Sequence, residues 1–253
     1  MSVRALPTLL AGLVASGAAL GPAYCDDSGP LSATLTLESD YRLRGVSLND
    51  LSPLPQLEID WNGPDGWTLS NIDSRVDFRD HEDTSVEVDF IAGKKFDFDG
   101  TTINLQAFYY SYPNHDRSGG GPMYSLFEGV GTVSHTWDRF TATGTLAYSP
   151  DYFAQSGVAW YGAFGASYKI ADDLSASGNV GHQSIREWDS VGMSGFPYVN
   201  WDLGLTATRG PFALDVRYIT TTLTGRQCTL TQGGANWCHG ALVAALSYSY
   251  GGN

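Results

Sequence analysis

The chain has 253 residues, 14 Lys and Arg against 27 Asp and Glu, and a formal net charge of −13. Only 16% of its residues are charged while 42% are hydrophobic and 13% aromatic, which excludes a disordered chain. The acidic balance excludes a nucleic-acid partner, whose phosphates need clustered Lys and Arg, and a mean hydropathy of −0.16 is too polar for a bundle of membrane helices.

Residues Met1 to Cys25 read as a secretory signal peptide: Arg4 is the sole charge, an apolar run spans Leu9 to Leu20, and small residues follow. Cleavage fits after Ala23 or after Cys25. Removal leaves 13 basic and 27 acidic residues, a net charge of −14. No later segment reaches about 18 consecutive apolar residues, so no membrane helix follows. The expected organisation is a signal peptide over 1–25 and one domain over 26–253. Export favours disulfides. Cys228 and Cys238 flank a loop without His or acidic residues, so a local disulfide is the better reading and a metal pair the weaker one.

Apolar and polar residues then alternate through the whole mature chain, the signature of strands. The first strand runs from Leu31 to about Tyr41, with Leu31, Ala33, Leu35 and Leu37 on one face and Ser32, Thr34, Thr36 and Glu38 on the other. The second sets Leu57, Ile59 and Trp61 against Gln56, Glu58 and Asp60. In the third, Trp67 to Phe78, the apolar phase slips from Trp67 and Leu69 to Ile72, Val76 and Phe78, which predicts a bulge. The fourth opposes Val86, Val88 and Phe90 to Glu87 and Asp89, and the fifth opposes Ile103, Leu105 and Tyr109 to Asn104, Gln106, Phe108 and Tyr110. Seven more follow, around Phe127, Phe140, Trp160, Leu174, Trp201, Phe212 and Leu242, each with Ser, Thr, Asn or a few charges on the second face.

Twelve segments of about ten residues suit tilted strands crossing a bilayer. Connections after even-numbered strands are tight, as at Asp138-Arg139, and those after odd-numbered strands are mostly longer, as at Arg42–Ser52 and Thr222–His239. Short turns at one rim and long loops at the other predict an all-β, 12-stranded antiparallel transmembrane β-barrel. Aromatics near strand ends, among them Tyr41, Trp67, Phe78, Trp137 and Tyr218, would form its two girdles. A soluble sandwich would expose charged residues, whereas the polar face here is mostly Ser, Thr, Asn and Gln, as a water-filled lumen prefers.

The stretch Ser39-Asp40-Tyr41-Arg42-Leu43-Arg44-Gly45-Val46-Ser47, followed by an Asp-bearing second strand and by Val86-Glu87-Val88-Asp89, resembles the TorF family of Gram-negative bacteria, whose members are assigned as porins by prediction. The resemblance spans about Leu31 to Tyr250 and implies the outer membrane. It departs from the usual terminal aromatic, since Gly251-Gly252-Asn253 follow Tyr250.

Parity places charges in the lumen. Arg42 and Arg44 continue the first strand near the long-loop rim; Glu58 and Asp60 lie towards the short-turn rim. Asp73, Arg75, Asp77, Glu87 and Asp89 would make a salt-bridged ladder, and Glu128, Asp202, Asp215 and Arg217 complete the set. Such rings set ion preference, and the carboxylate excess favours cations. The same charges pairing to fill a narrow lumen is the alternative, because small barrels are filled by side chains. The expected function is passive diffusion of small polar solutes or ions, with a non-conducting structural or surface-binding barrel as the competitor. No enzyme is expected: no G-x-S-x-G, H-E-x-x-H or Walker loop occurs, and His81, His115, His135, His182 and His239 have no catalytic setting. No cofactor or resident metal is implied, and Phe96-Asp97-Phe98-Asp99-Gly100 and Asp80-His81-Glu82-Asp83 read as ordinary polar turns rather than Ca²⁺ sites. Expected partners are membrane lipid, lipopolysaccharide and the barrel-assembly machinery.

Overall fold

The structure, a computed structural model, describes residues 28–79, 83–188, 193–194 and 197–252. The expected signal peptide and its cleavage points, and Asp80-His81-Glu82, lie outside the described residues. In chain order the strands are β1 (Ser28–Glu38), β2 (Arg42–Leu43), β3 (Val46–Ser47), β4 (Leu54–Asn62), β5 (Trp67–Arg75), β6 (Val86–Phe98), β7 (Thr101–Ser111), β8 (Leu126–Trp137) and β9 (Phe140–Ser149). They continue with β10 (Ala159–Ala171), β11 (Leu174–Ile185), β12 (Glu187–Trp188), β13 (Met193–Ser194), β14 (Tyr198–Arg209) and β15 (Phe212–Thr221), then helix α1 (Gly225–Gln232) and β16 (Ala241–Gly252).

The twelve long strands pair antiparallel with their sequence neighbours, and β1 closes the barrel on β16. Closure leaves no unpaired edge, the condition for a β-structure in lipid. Along each strand the alternation separates two environments. Leu37 (56% exposed), Leu203 (63%) and Leu242 (71%) stand outward, whereas Thr36, Asp202 and Val243 beside them are buried. So broad an apolar outer wall is an aggregation liability in water and the required surface in hydrocarbon. Most of the expected girdle aromatics, including Trp67, Trp137 and Tyr218, are on this wall. No helix among the described residues is long and apolar enough to cross a membrane.

Five tight turns form one rim and the longer connections the other. Two long connections are built rather than loose. Residues 39–53 fold into the barrel as the hairpin β2–β3, whose pairs Arg42↔Ser47 and Leu43↔Val46 leave a two-residue turn, Arg44-Gly45. Both turn residues have positive φ, 50° and 88°, which matches the strand twist of a type I′ hairpin and explains Gly at the second place. Residues 222–240 carry α1, opened by a capping box between Thr224 and Gln227, and Cys228 and Cys238 are joined by the expected disulfide with Cα atoms 5.9 Å apart.

The inserted hairpin corrects the expectation for β5. Its register with β4 and β6 runs without a shift, so there is no bulge. Instead, Ile72 and Val76 point inward, where they pack with Ile91, Phe108, Tyr110 and Tyr41. The pleat is regular and the environment changes: the long-loop half of the interior is filled, so apolar residues belong there too. Tyr41 and Phe78, expected in a girdle, are in or against this interior cluster.

Candidate functional site in the barrel lumen

Arg44, at the hairpin tip, crosses the lumen to the far wall. Its guanidinium donates to Glu128 on β8, Nη1 to Oε1 at 3.0 Å and Nη2 to Oε2 at 2.7 Å, and Nη1 also donates to Gln183 Oε1 on β11 at 2.7 Å. It lies 4.3 Å from the ring centroid of Tyr161 on β10. The paired fork is the strong carboxylate geometry, and stacking on an aromatic face suits Arg in particular. Both Arg44 and Glu128 are buried. On the opposite side of the tip, a Cβ on Gly45 would come 2.5 Å from Thr221 Cγ2, so the turn is wedged against β15.

The hairpin is tied to neighbouring loops at its base. Arg42 Nε donates to Asp40 at 2.5 Å and Nη1 to the carbonyls of Gly45 (3.0 Å) and His239 (2.8 Å). The Ser47 hydroxyl donates to Asp40 at 2.6 Å, and Ser47 N–H donates to the Trp237 carbonyl at 2.9 Å. Trp237 Nε1 donates to Asp50 Oδ1 at 2.8 Å, and Asp50 also pairs with Arg79. The indole hydrogen bond, with the Arg79 contact, holds the Asp50 carboxyl below its ordinary 3.8, against a smaller opposing effect of burial. The disulfide-closed loop therefore clasps the hairpin from above.

Below the hairpin the lumen is hydroxyl-rich. Thr36 and Ser247 are 2.8 Å apart, Thr34 and Ser249 3.0 Å, and Gln56 Nε2 donates to Ser74 at 2.7 Å. Ser32, Thr34, Ser134, Thr136, Thr141 and Ser175 are partly exposed inward-facing residues, so water reaches the short-turn half. A second cation group sits here: Arg217 pairs with Asp202 and, Nε to Oδ1, with Asp215 at 2.8 Å, while Thr206 donates to Asp215 at 2.6 Å. Glu58 and Asp60 face the lumen on β4, with Ser70 donating to Asp60.

Above the hairpin, a mouth cavity of about 310 Å³ is lined largely by rings, including Phe78, Tyr112, Tyr124, Tyr152, Phe153 and Trp237. Phe78 meets Tyr112, Tyr124 and Phe153 edge-on at 5.2–5.7 Å, the preferred aromatic geometry.

A family model described as a bacterial protein of unknown function, Gcw_chp, matches residues 23–250. The chain belongs to the Gcw_chp family. No curated protein matches this Gcw_chp sequence. Among solved structures, the KdgM porin is 11% identical with a TM-score of 0.55, covering 87% of this chain and 99% of its own. A KdgM porin in complex with disordered oligogalacturonate is 10% identical at a TM-score of 0.54, covering 87% and 98%. OccAB2 of Acinetobacter baumannii is 13% identical at 0.48, covering 94% and 70%. At these identities the likeness to the two KdgM porin structures is one of fold alone. The matching family model carries the name Gcw_chp, and the TorF likeness remains a likeness.

In this Gcw_chp chain the inward placement of Glu58, Asp60, Glu87, Asp89, Glu128, Asp202, Asp215 and Arg217 agrees with strand parity. Arg42 and Arg44 are also inside, but on a separate hairpin rather than on an extended first strand. Three residues are misplaced by parity. Asp73 and Arg75 share the face of Leu57 and Val88 on the outer wall, and Asp77 sits at the rim beside Asn49 and Arg79. No ladder forms, because Glu87 and Asp89 make no ion pair among the described residues and instead face Tyr41 and Tyr112. Strand pattern alone does not mark Gln183 and Tyr161 as partners of Arg44, or Asp40 as the partner of Arg42, since these roles depend on where the hairpin lands.

Proposed function

We propose that this barrel is an outer-membrane channel of a Gram-negative bacterium for passive diffusion of small polar solutes or ions, with a preference for cations, and that its first long loop sets the constriction. The observation that carries this is the contrast along the lumen: a hydroxyl-lined, water-reached half ends at a hairpin pinned across the bore by Arg44, Glu128 and Gln183. Cation preference is supported by charge pairing. Arg42, Arg44 and Arg217 are neutralised by Asp40, Glu128 and the Asp202–Asp215 pair, leaving Glu58, Asp60, Glu87 and Asp89 without a salt bridge among the described residues. Carboxylates so placed attract cations. The same surplus disfavours a polyanion such as the oligogalacturonate of the KdgM complex, so that ligand is not carried over. Lipid and lipopolysaccharide at the outer wall, and the assembly machinery during insertion, follow from this location.

A non-conducting barrel is the second reading, favoured by the completeness of the hairpin's hydrogen bonding. Planar-bilayer recording of the refolded protein separates the two. Discrete conductance steps with a cation-selective reversal potential in a KCl gradient are expected. Their absence at every salt concentration would defeat the channel, and an anion-selective potential would defeat the charge assignment.

A further inference from the structure

Glu87 and Asp89 stand two residues apart on β6 and face the same interior, between the hairpin base and the floor of the mouth cavity. Glu87 is fully buried and Asp89 is 3% exposed. Two residues of strand separate their Cα atoms by about 6.6 Å, a span that one ion with oxygen ligands at 2.3–2.6 Å bridges readily. The donors at Glu87 are both neutral phenols, Tyr41 to Oε1 at 2.7 Å and Tyr112 to Oε2 at 2.5 Å. Each takes one lone pair and leaves others free. Asp89 is poorer still: its Oδ1 is buried with no hydrogen-bond partner among the described residues. Asn71 Nδ2 donates to the Asp89 backbone carbonyl, not to its carboxylate. Arg44, the cation at the hairpin tip, is committed to Glu128 and Gln183.

Buried carboxylates need a counter-charge or a full set of donors, and among the described residues this pair has neither. The polar groups set on Glu87, the Tyr41 and Tyr112 hydroxyls, are oxygens like the carboxylates themselves, the donor type of a hard cation. We propose that Glu87 and Asp89 form a binding site for a divalent cation of the Ca²⁺ type, with Tyr41 and Tyr112 orienting the Glu87 carboxylate and water completing the shell. The site lies beside the mouth cavity, whose lining includes Tyr112, one of the two donors to Glu87. Occupancy would tie the hairpin base, through Tyr41, to the β6 and β7 wall. This deepens the cation preference proposed above and rests on a solvated lumen, yet its measurement needs no conductance.

The test is Ca²⁺-dependent thermal unfolding of protein refolded in detergent without lipopolysaccharide, so that no lipid-borne ion contributes. Unfolding is followed from chelator-treated protein with CaCl₂ added, against choline chloride at equal ionic strength. At about ten times the dissociation constant, a single native-state site raises the midpoint of a barrel of this size by about 3–6 °C. The expected result is that this Ca²⁺-specific rise is lost in Glu87→Gln/Asp89→Asn and in Asp89→Asn alone, and is kept in Asp138→Asn on an exposed short turn. Tyrosine-sensitised Tb³⁺ emission, displaced by Ca²⁺ and lost in Asp89→Asn, gives the same answer should the double variant not refold. An equal response to choline and Ca²⁺, or a rise that survives Asp89→Asn, overturns the site. A protein that shows the Ca²⁺ rise but no conductance keeps the site and loses the channel.

Discussion

Replacing Arg44 with Ala tests the hairpin's role most directly. The substitution removes both bonds to Glu128, the bond to Gln183 and the stack on Tyr161. It also leaves Glu128, 1% exposed, as a buried charge without its partner. Breaking one side of a buried pair costs about 3–5 kcal/mol. The lower end applies here, because a displaced hairpin admits water to Glu128. At about 1.4 kcal/mol per tenfold, some 3 kcal/mol moves the balance between inserted and displaced hairpin by roughly 100-fold. Single-channel recording of Arg44→Ala should therefore show larger or longer openings than wild type. Protease should cut residues 39–53 faster, while heat-modifiable gel mobility confirms that the barrel has formed. Arg44→Ala/Glu128→Gln should regain part of the lost stability by removing the stranded charge without restoring the constriction, a coupling measurable by a double-mutant cycle. A folded Arg44→Ala barrel with unchanged conductance and unchanged protease resistance would refute the hairpin as the constriction.

Three further outcomes follow from the same contacts. Gly45→Ala places a side chain at φ +88° and 2.5 Å from Thr221 Cγ2, so it should displace the hairpin as Arg44→Ala does, at a backbone cost of about 1–2 kcal/mol before the clash; conductance indistinguishable from wild type would contradict the I′ turn. Cys228→Ser opens a loop with a sequence separation of 10, worth about 2–3 kcal/mol in the chain-entropy description, and limited proteolysis should find 222–240 cut first with the barrel wall intact. Asp50 titrates below its ordinary 3.8 because Trp237 and Arg79 hold its ionised form, so its stabilisation is full above that value and is lost as pH falls through the lower folded value. Trp237 fluorescence should therefore change in acid in the wild type and not in Asp50→Asn; identical titrations would remove the clasp's acid sensitivity.

Much of the architecture was legible in the sequence because a barrel strand writes both of its environments at period two. Leu203 and Asp202, or Leu246 and Ser247, differ by one position and by the whole distance from lipid to lumen. That local rule, with the tight turns at Asp138-Arg139 and Arg209–Pro211, suffices for strand number, order and the inward placement of Glu128, Asp202, Asp215 and Arg217. It fails at Asp73 and Arg75, where the rule assumes a polar interior along the full length of β5.

The sequence by itself determined the wall, meaning twelve alternating strands, their two faces, their two rims and a disulfide loop. Only the tertiary structure decided what fills the bore. The stretch from Ser39 to Ser47 is legible as a conspicuous motif, but the destination of Arg44 is set by residues far along the chain, at Glu128, Tyr161 and Gln183. Strand pairing is a neighbour relation that period and turn length encode; the folding of a loop into a lumen depends on matched charge and volume between distant segments, which no local pattern records. The surplus of 27 acidic over 14 basic residues was plain from the start, and the fold alone separates carboxylates with an arginine from those, Glu87 and Asp89, left facing phenols.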